Sequence, residues 1–306
     1  MLPIDIADLT DQVLTLTPRQ GLGIPVALVG AVFLALGAQL QHRGVGKVEV
    51  RLGGKARGLS RHQLLALLTR PSWLIGTVLL TLAVVFQLFS LYLAPLIVVQ
   101  PLGAVALVIT ALLNARVSGV KLDRLTVRAI ALCVGGIAVF VGFAAVVARE
   151  TPITDTQLVT ILLILGVVLA MAGAAFALLR SRLKAIMYVV GAGILYGFVA
   201  TLAKVVINRI VTGNFELLTV FCIIALLSAT MFGAYFVQSA YTSGPPDLVI
   251  AGLTVIDPLV AVTIGIVVLG EASEAPVIAV IAFAVAGAVA IYGVFQLAKH
   301  HPQNQH

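Results

Sequence analysis

The sequence predicts an all-α polytopic membrane bundle, and three observations carry that prediction. Hydrophobic residues make up 61% of the 306 residues and charged residues only 10%, whereas soluble chains carry about 25% charged residues. The mean hydropathy is +1.14. The apolar residues also gather into nine runs, each near the ~20 residues that a helix needs to cross roughly 30 Å of hydrocarbon. A soluble fold of this size could not cover its surface with so few charges.

The elements follow in order. In segment 1–22, Ile6, Leu9, Val13 and Leu16 recur at helical spacing beside Asp5, Asp8 and Asp11, which predicts a short helix lying on the membrane surface. This segment has no basic start, continuous apolar centre or small-residue cleavage site, so it does not read as a signal peptide. The first crossing is 23–41. In the loop 42–72, Gly53, Gly54 and Gly58 precede SRHQLLALLTR. There Ser60 is placed to cap a short interfacial helix carrying Leu64, Leu65, Leu67 and Leu68. The run 73–116 is too long for one crossing, and Pro95 divides it into 73–94 and 95–116 because proline cannot continue a preceding helix. Further crossings are 125–148, 156–179, 185–208, 216–238, 247–270 and 276–297. Asp247, after Pro245 and Pro246, reads as the cap of the eighth. Gly135, Gly136, Gly173, Ala174, Gly191 and Gly193 read as surfaces for close helix contact. The organisation is therefore a first transmembrane half at 23–148, a linking span within 149–184, a second half at 185–297 and a tail at 298–306.

Orientation follows from Lys and Arg, which stay on the cytoplasmic side. The first loop holds Arg43, Lys47, Arg51, Lys55, Arg57, Arg61 and Arg70. On the same side fall Arg116, Lys121, Arg124, Arg128, Arg180, Arg182, Lys184 and Lys299, fifteen of the 19 basic residues. Asp5, Asp8, Asp11, Glu150, Asp155, Glu216, Glu271 and Glu274 gather opposite, with Arg19, Arg149 and Arg209. The expectation is a multi-pass protein of the cell membrane with its N-terminus outside and its C-terminus in the cytoplasm.

Several chemistries lack their parts. Cys133 and Cys222 lie in apolar runs and read as small hydrophobes. His42, His62, His300, His301 and His306 are confined to a loop and the C-terminus, and no HExxH, CxxC, GxSxG or P-loop pattern occurs. The chain is expected to be no enzyme and to hold no cofactor or metal cluster. Its net charge of +7 comes without a basic–aromatic patch, so nucleic acid is not an expected partner. The expected partners are the bilayer and a small solute or ion, and a homodimer is compatible with these features.

An internal repeat is legible. QPLGAVALVITALLN at 100–114 aligns with DPLVAVTIGIVVLGE at 257–271, matching Pro101, Leu102, Ala104, Val105, Ile109 and Leu112 to Pro258, Leu259, Ala261, Val262, Ile266 and Leu269. Each stretch follows a crossing with a similar tail, FQLFSLYLAP and FVQSAYTSGPP. Partners are five crossings apart, an odd number, so one copy runs inverted, which is a transporter arrangement.

The stretch from Trp73 through Tyr92-Leu93-Ala94-Pro95 and Pro101-Leu102-Gly103 resembles the drug/metabolite transporter superfamily, in its NIPA-like branch. The likeness extends over roughly 23–297 and includes Tyr196 to Lys204 and Asp257-Pro258-Leu259 to Gly270-Glu271. It implies two inverted halves around a central cavity, and transport. Magnesium-linked members tend to carry acidic residues where this chain reads TLAVVFQLF, and Lys-Glu within the stretch that reads Leu113-Asn114-Ala115-Arg116 here. The resemblance thus implies the fold without implying magnesium.

Ionisable groups in hydrocarbon are costly and mark candidate sites. Asp257 lies mid-crossing before Pro258, whose missing N–H is expected to open the helix locally. Such a carboxyl either binds a cation or proton, or serves as a structural acid bonded to a neighbouring helix. Lys204 either reaches the headgroups or faces the cavity, as the resemblance implies, to meet an anionic solute or neutralise Asp257. Gln87, Gln100, Gln238, Tyr92, Tyr196 and Tyr241 complete the candidate substrate-binding set, and Gln39, Tyr188 and Thr254 are further polar groups. Gln100 occupies the place of Asp257 in the other repeat. Glutamines also join helices to one another without touching a solute. Pro95, Pro101 and Pro258 are candidate helix breaks. With no ATP motif, the expected function is secondary transport of a small polar or amphipathic solute by alternating access. A NIPA-type magnesium transporter, a lipid or lipid-linked flippase and a non-transporting scaffold are the alternatives.

Overall fold

The computed structural model describes residues 18–52, 68–118, 123–150, 152–179, 184–244 and 246–299. The expected surface helix around Ile6 to Leu16 and most of the interfacial helix after Ser60 lie outside these residues. Ten helices are described: α1 (Pro18–Leu52), α2 (Pro71–Leu93), α3 (Leu96–Leu102), α4 (Val105–Ser118), α5 (Arg124–Val147), α6 (Asp155–Leu179), α7 (Ala185–Val211), α8 (Leu217–Ser243), α9 (Pro246–Val267) and α10 (Val277–Lys299). Nine crossings among the described residues are long and apolar enough to span a membrane, the third, Leu96–Val117, being built from α3 and α4 together. The architecture is the all-α polytopic bundle that composition predicts. Large apolar side chains such as Leu163, Met171, Leu178, Val277 and Ile278 lie exposed around it, a belt suited to hydrocarbon and not to water.

Inside that belt, polar groups find partners within their own helix, as an apolar medium demands. The hydroxyls of Thr110, Thr160, Thr201, Thr230, Thr254 and Thr263 donate to the carbonyl four residues back at 2.7–2.9 Å. Asp123 caps α5 by accepting from the Thr126 N–H, an interaction worth about 1 kcal/mol. α9 begins at Pro246, so Asp247 falls in its first turn and not at its cap.

The packing repeats with a shift of five crossings. α1 lies along α2 as α7 lies along α8. α1 meets α3 and α4 as α7 meets α9, and α3 meets α5 as α9 meets α10. The halves are joined most extensively by α5 with α10 and by α3 with α9, and also by α7 with α2 and α3. The odd shift makes the two copies run in opposite directions through the layer. α6 has no counterpart, packing on α7 and α8.

Glycine sets the depth of the α7–α9 contact. A β-carbon at Gly193 would sit 2.6 Å from the Ile256 Cβ, and one at Gly197 would sit 2.6 Å from the Val260 Cβ. Spaced four apart, the two glycines form a small-residue track that draws α9 onto α7 on either side of Asp257.

Proline has different effects in the two repeats. Pro95 separates α2 from α3 through two extended residues, Ala94 and Pro95. In the third crossing the α-helix is interrupted at Gly103 and Ala104, where hydrogen bonds shorten to three-residue spacing (Gly103 N to Gln100 O, 3.1 Å; Ala104 N to Pro101 O, 3.2 Å). The expected opening at Pro258 does not occur: α9 runs through it without interruption. α9 is supported along its length by the glycine track of α7, and a single missing N–H does not break it.

Candidate functional site

A cavity of about 450 Å³ lies between the two halves, at mid-depth. Its wall takes Gln87 from α2, Gln100 from α3, Tyr196 from α7 and Asp257 from α9, set among small and aliphatic side chains of α1, α2 and α7. Gln100 sits one residue before Pro101 in the short α3 and is 5% exposed. Asp257 is fixed by the glycine-tightened α7–α9 seam. The ring of Tyr196 packs over Gly233 of α8, where a β-carbon would stand 3.1 Å from its Cε1. Thr254 also lines the wall, with its hydroxyl donating to the Ile250 carbonyl.

Two atoms in this wall lack a hydrogen-bond partner: the Gln100 Nε2, a donor, and the Asp257 Oδ1, an acceptor. A buried polar atom without a partner costs about 1–3 kcal/mol, so two of them, both shielded from solvent, in residues that line one cavity are an unusual feature of the fold. They occupy equivalent positions in the two repeats. Their neighbours Pro101 and Pro258, also equivalent, both line a smaller apolar hollow of about 90 Å³ against α5 and α10. Pro258 also lines the larger cavity, so the two hollows share this part of the wall.

The remaining expected site residues lie elsewhere. Gln238 and Tyr241 are exposed on α8, and Tyr92 stacks on Phe89 at the end of α2 with ring centroids 6.4 Å apart. None of the three lines the cavity. Lys204 departs most from expectation. It is 7% exposed and faces neither the headgroups nor Asp257. Its ammonium donates to the Ala94 carbonyl and to Glu150 Oε1, both at 3.1 Å, and stands 3.2 Å from Glu271 Oε1.

Glu271 is the centre of that cluster, although in sequence it is one more acid just past a helix. It is 3% exposed. Its two oxygens accept the N–H groups of Leu96 and Ile97, each at 2.9 Å. They thereby cap α3, where the N-cap residue Pro95 has no side-chain acceptor. Gly270, at φ +72°, supplies the left-handed turn that folds Glu271 back under α9. Gly265 clears its path, since a β-carbon there would lie 2.8 Å from Glu271 Oε2. The Glu271 carbonyl also accepts the Arg149 N–H at 2.9 Å. The signal for this clasp is legible in hindsight: a helix start at Leu96 without a local cap calls for an acceptor from elsewhere. The same end of the bundle holds buried Arg209, paired with Asp155 at 2.9 Å and Glu216 at 3.6 Å. Between clasp and cavity, Leu91, Ala94, Leu96, Ile97 and Val99 are at most 1% exposed, so this end is closed.

Among the described residues no group of three or more His, Cys, Asp or Glu is placed to hold a metal ion. Comparison with known proteins adds one relative: an uncharacterized protein of Corynebacterium glutamicum, 28% identical over 258 residues, which are 82% of this chain and 85% of that protein. No family model matches the chain. No solved structure matches it either.

Proposed function

We propose that this protein is a secondary transporter that carries a small polar or amphipathic solute across the cell membrane by alternating access. The observation that carries the proposal is the matched pair Gln100 and Asp257: equivalent positions of two inverted copies, each with an unpartnered buried polar atom, meeting at one cavity between the halves. A site between inverted copies can be presented to either side by rocking one half against the other. The repeat also favours one closed end. Glu271 aligns with Asn114, so the carboxylate that clasps one end has a neutral amide as its counterpart at the other. In this reading the clasped end is the outer one, the N-terminus lies outside and the C-terminus in the cytoplasm. The resemblance to the NIPA-like branch of the drug/metabolite transporters supports the same reading.

Magnesium is the second reading, and the geometry weighs against it. Magnesium keeps several waters and favours carboxylate sites, whereas the cavity wall offers one carboxylate and no other acid.

The test is efflux from proteoliposomes loaded with a mixture of small solutes and followed by mass spectrometry. A solute released by the wild type should be retained by Asp257→Asn and by Gln100→Leu. Undiminished release in both variants would overturn the site, and saturable magnesium flux lost in Asp257→Asn would overturn the exclusion of magnesium. For topology, maleimide added from outside should label Asp8→Cys and spare Lys55→Cys.

A further inference from the structure

We propose that the cavity binds organic monocations: a primary ammonium on Asp257 joined by an apolar body to a hydrogen-bond acceptor on Gln100. This rests on the transporter reading for its physiological meaning, but the binding itself follows from the wall. Ionised, Asp257 only accepts hydrogen bonds, and its Oδ1 has no donor in the protein. The Gln100 Nε2 only donates, and it is without an acceptor. A guest that satisfies both must bring a donor to one and an acceptor to the other.

Charge then selects among such guests. The wall contains no lysine, arginine or histidine to offset Asp257. Lys204, the lysine that the sequence offers for that role, is engaged by Glu150, Glu271 and the Ala94 carbonyl. An anionic guest would therefore add a second negative charge to an apolar chamber, whereas a cation would compensate the first. The expectation that a cavity lysine receives an anionic or phosphorylated solute falls with the lysine's position. A single carboxylate suits an ammonium, with its few donors, better than a divalent ion that needs six or more oxygens.

Size and polarity narrow the class further. Apart from Gln87, Tyr196 and Thr254, the remaining wall is small or aliphatic, with Leu34, Val84, Leu88, Leu91 and Leu253 among its larger side chains, so the body between the two polar ends is apolar. At about 30 Å³ for each water in the liquid, about 450 Å³ accommodates on the order of 10–15 non-hydrogen atoms. A phenethylammonium skeleton bearing a ring hydroxyl meets all of these requirements.

The experiment measures equilibrium binding to the full chain in nanodiscs by calorimetry. The probes are 4-hydroxyphenethylammonium, neutral 4-ethylphenol, anionic 4-hydroxyphenylacetate and magnesium chloride. The ammonium should bind the wild type at least tenfold tighter than the phenol, carboxylate or magnesium. Asp257→Asn should weaken it tenfold or more and Gln100→Leu about threefold to tenfold, while Asp257→Glu retains the preference for the cation. If Asp257→Asn does not fold, Gln100→Leu against Asp257→Glu makes the same contrast. Preference for the carboxylate or magnesium, or ammonium affinity unchanged in Asp257→Asn and Gln100→Leu, would overturn the proposal. Binding without flux in proteoliposomes would support this cation site and count against transport. Flux of an anion that depends on Asp257 would do the reverse.

Discussion

The bundle buries ionisable groups in two places and treats them in opposite ways. At the closed end, Lys204, Glu150 and Glu271 meet with their charges paired, and Glu271 takes two backbone N–H groups besides. At mid-depth, Asp257 and Gln100 face a cavity with one atom each unsatisfied. Lys204, Glu271 and Gln100 are buried, Asp257 is half-buried and Glu150 lies at the exposed rim of its cluster, and ionisable groups inside an apolar layer are costly. The difference teaches how to separate scaffold from site: the clasp of Lys204 and Glu271 resolves its polar groups within the protein, and even Arg209, whose Nη2 lacks a hydrogen-bond partner, keeps Asp155 and Glu216 beside it, whereas the site leaves its two atoms for a guest. Sites that sacrifice stability in this way are a recurrent feature of function.

Breaking the clasp should have the largest effect. Glu271→Ala strips Lys204 of its buried partner and leaves the Leu96 and Ile97 N–H groups without acceptors, a loss of about 3–5 kcal/mol. Thermal unfolding in nanodiscs should show a large drop in midpoint. A midpoint near the wild-type value would mean that the clasp does not hold the closed end.

The seam behind the cavity comes next. Gly197→Leu forces a side chain into Val260, and overpacking of this kind costs about 1–3 kcal/mol. Because α9 carries Asp257, the same variant should also weaken ligand binding, an effect that Glu271→Ala should not share once folded protein is selected. Equal losses of stability and affinity in both variants would erase the distinction between the regions.

The smallest effect is expected where the same charges are exposed. Arg149 and Glu274 form a 2.9 Å pair with side chains 73% and 66% exposed. Arg149→Ala should cost under about 1 kcal/mol, and salt titration of the wild type should leave the unfolding midpoint nearly unchanged if the buried clasp dominates.

These two regions were not equally legible in the sequence. Hydropathy alone locates the nine crossings, and the odd repeat offset gives their inverted packing, because both depend only on composition along the chain. Asp257 and Gln100 were legible because each precedes the proline of its repeat. Lys204 was not, since its partners Glu150 and Glu271 are 54 and 67 positions away (204 less 150; 271 less 204) and nothing in the chain records that they meet. Glu271 itself looked like an ordinary acid at a helix end. Only the positive φ of Gly270 turns it inward, and a glycine after a helix is too common to announce that. The proline effect misled in the opposite sense: Pro258 suggested a break, but α9, packed on the neighbouring α7, continues through it. In the third crossing, helix regularity is instead lost at Gly103, just past Pro101.

The central claim is that Asp257 serves a guest and Lys204 serves the fold. Thermal unfolding of Asp257→Asn and Lys204→Met beside wild type, all in ligand-free nanodiscs, tests it most directly. Asp257→Asn removes a charge whose Oδ1 lacks a partner, so its midpoint should equal or exceed that of the wild type. Lys204→Met leaves Glu271 buried without its cation, and its midpoint should fall by an amount corresponding to about 3–5 kcal/mol. The reverse order, with Asp257→Asn unstable and Lys204→Met unchanged, would contradict the account.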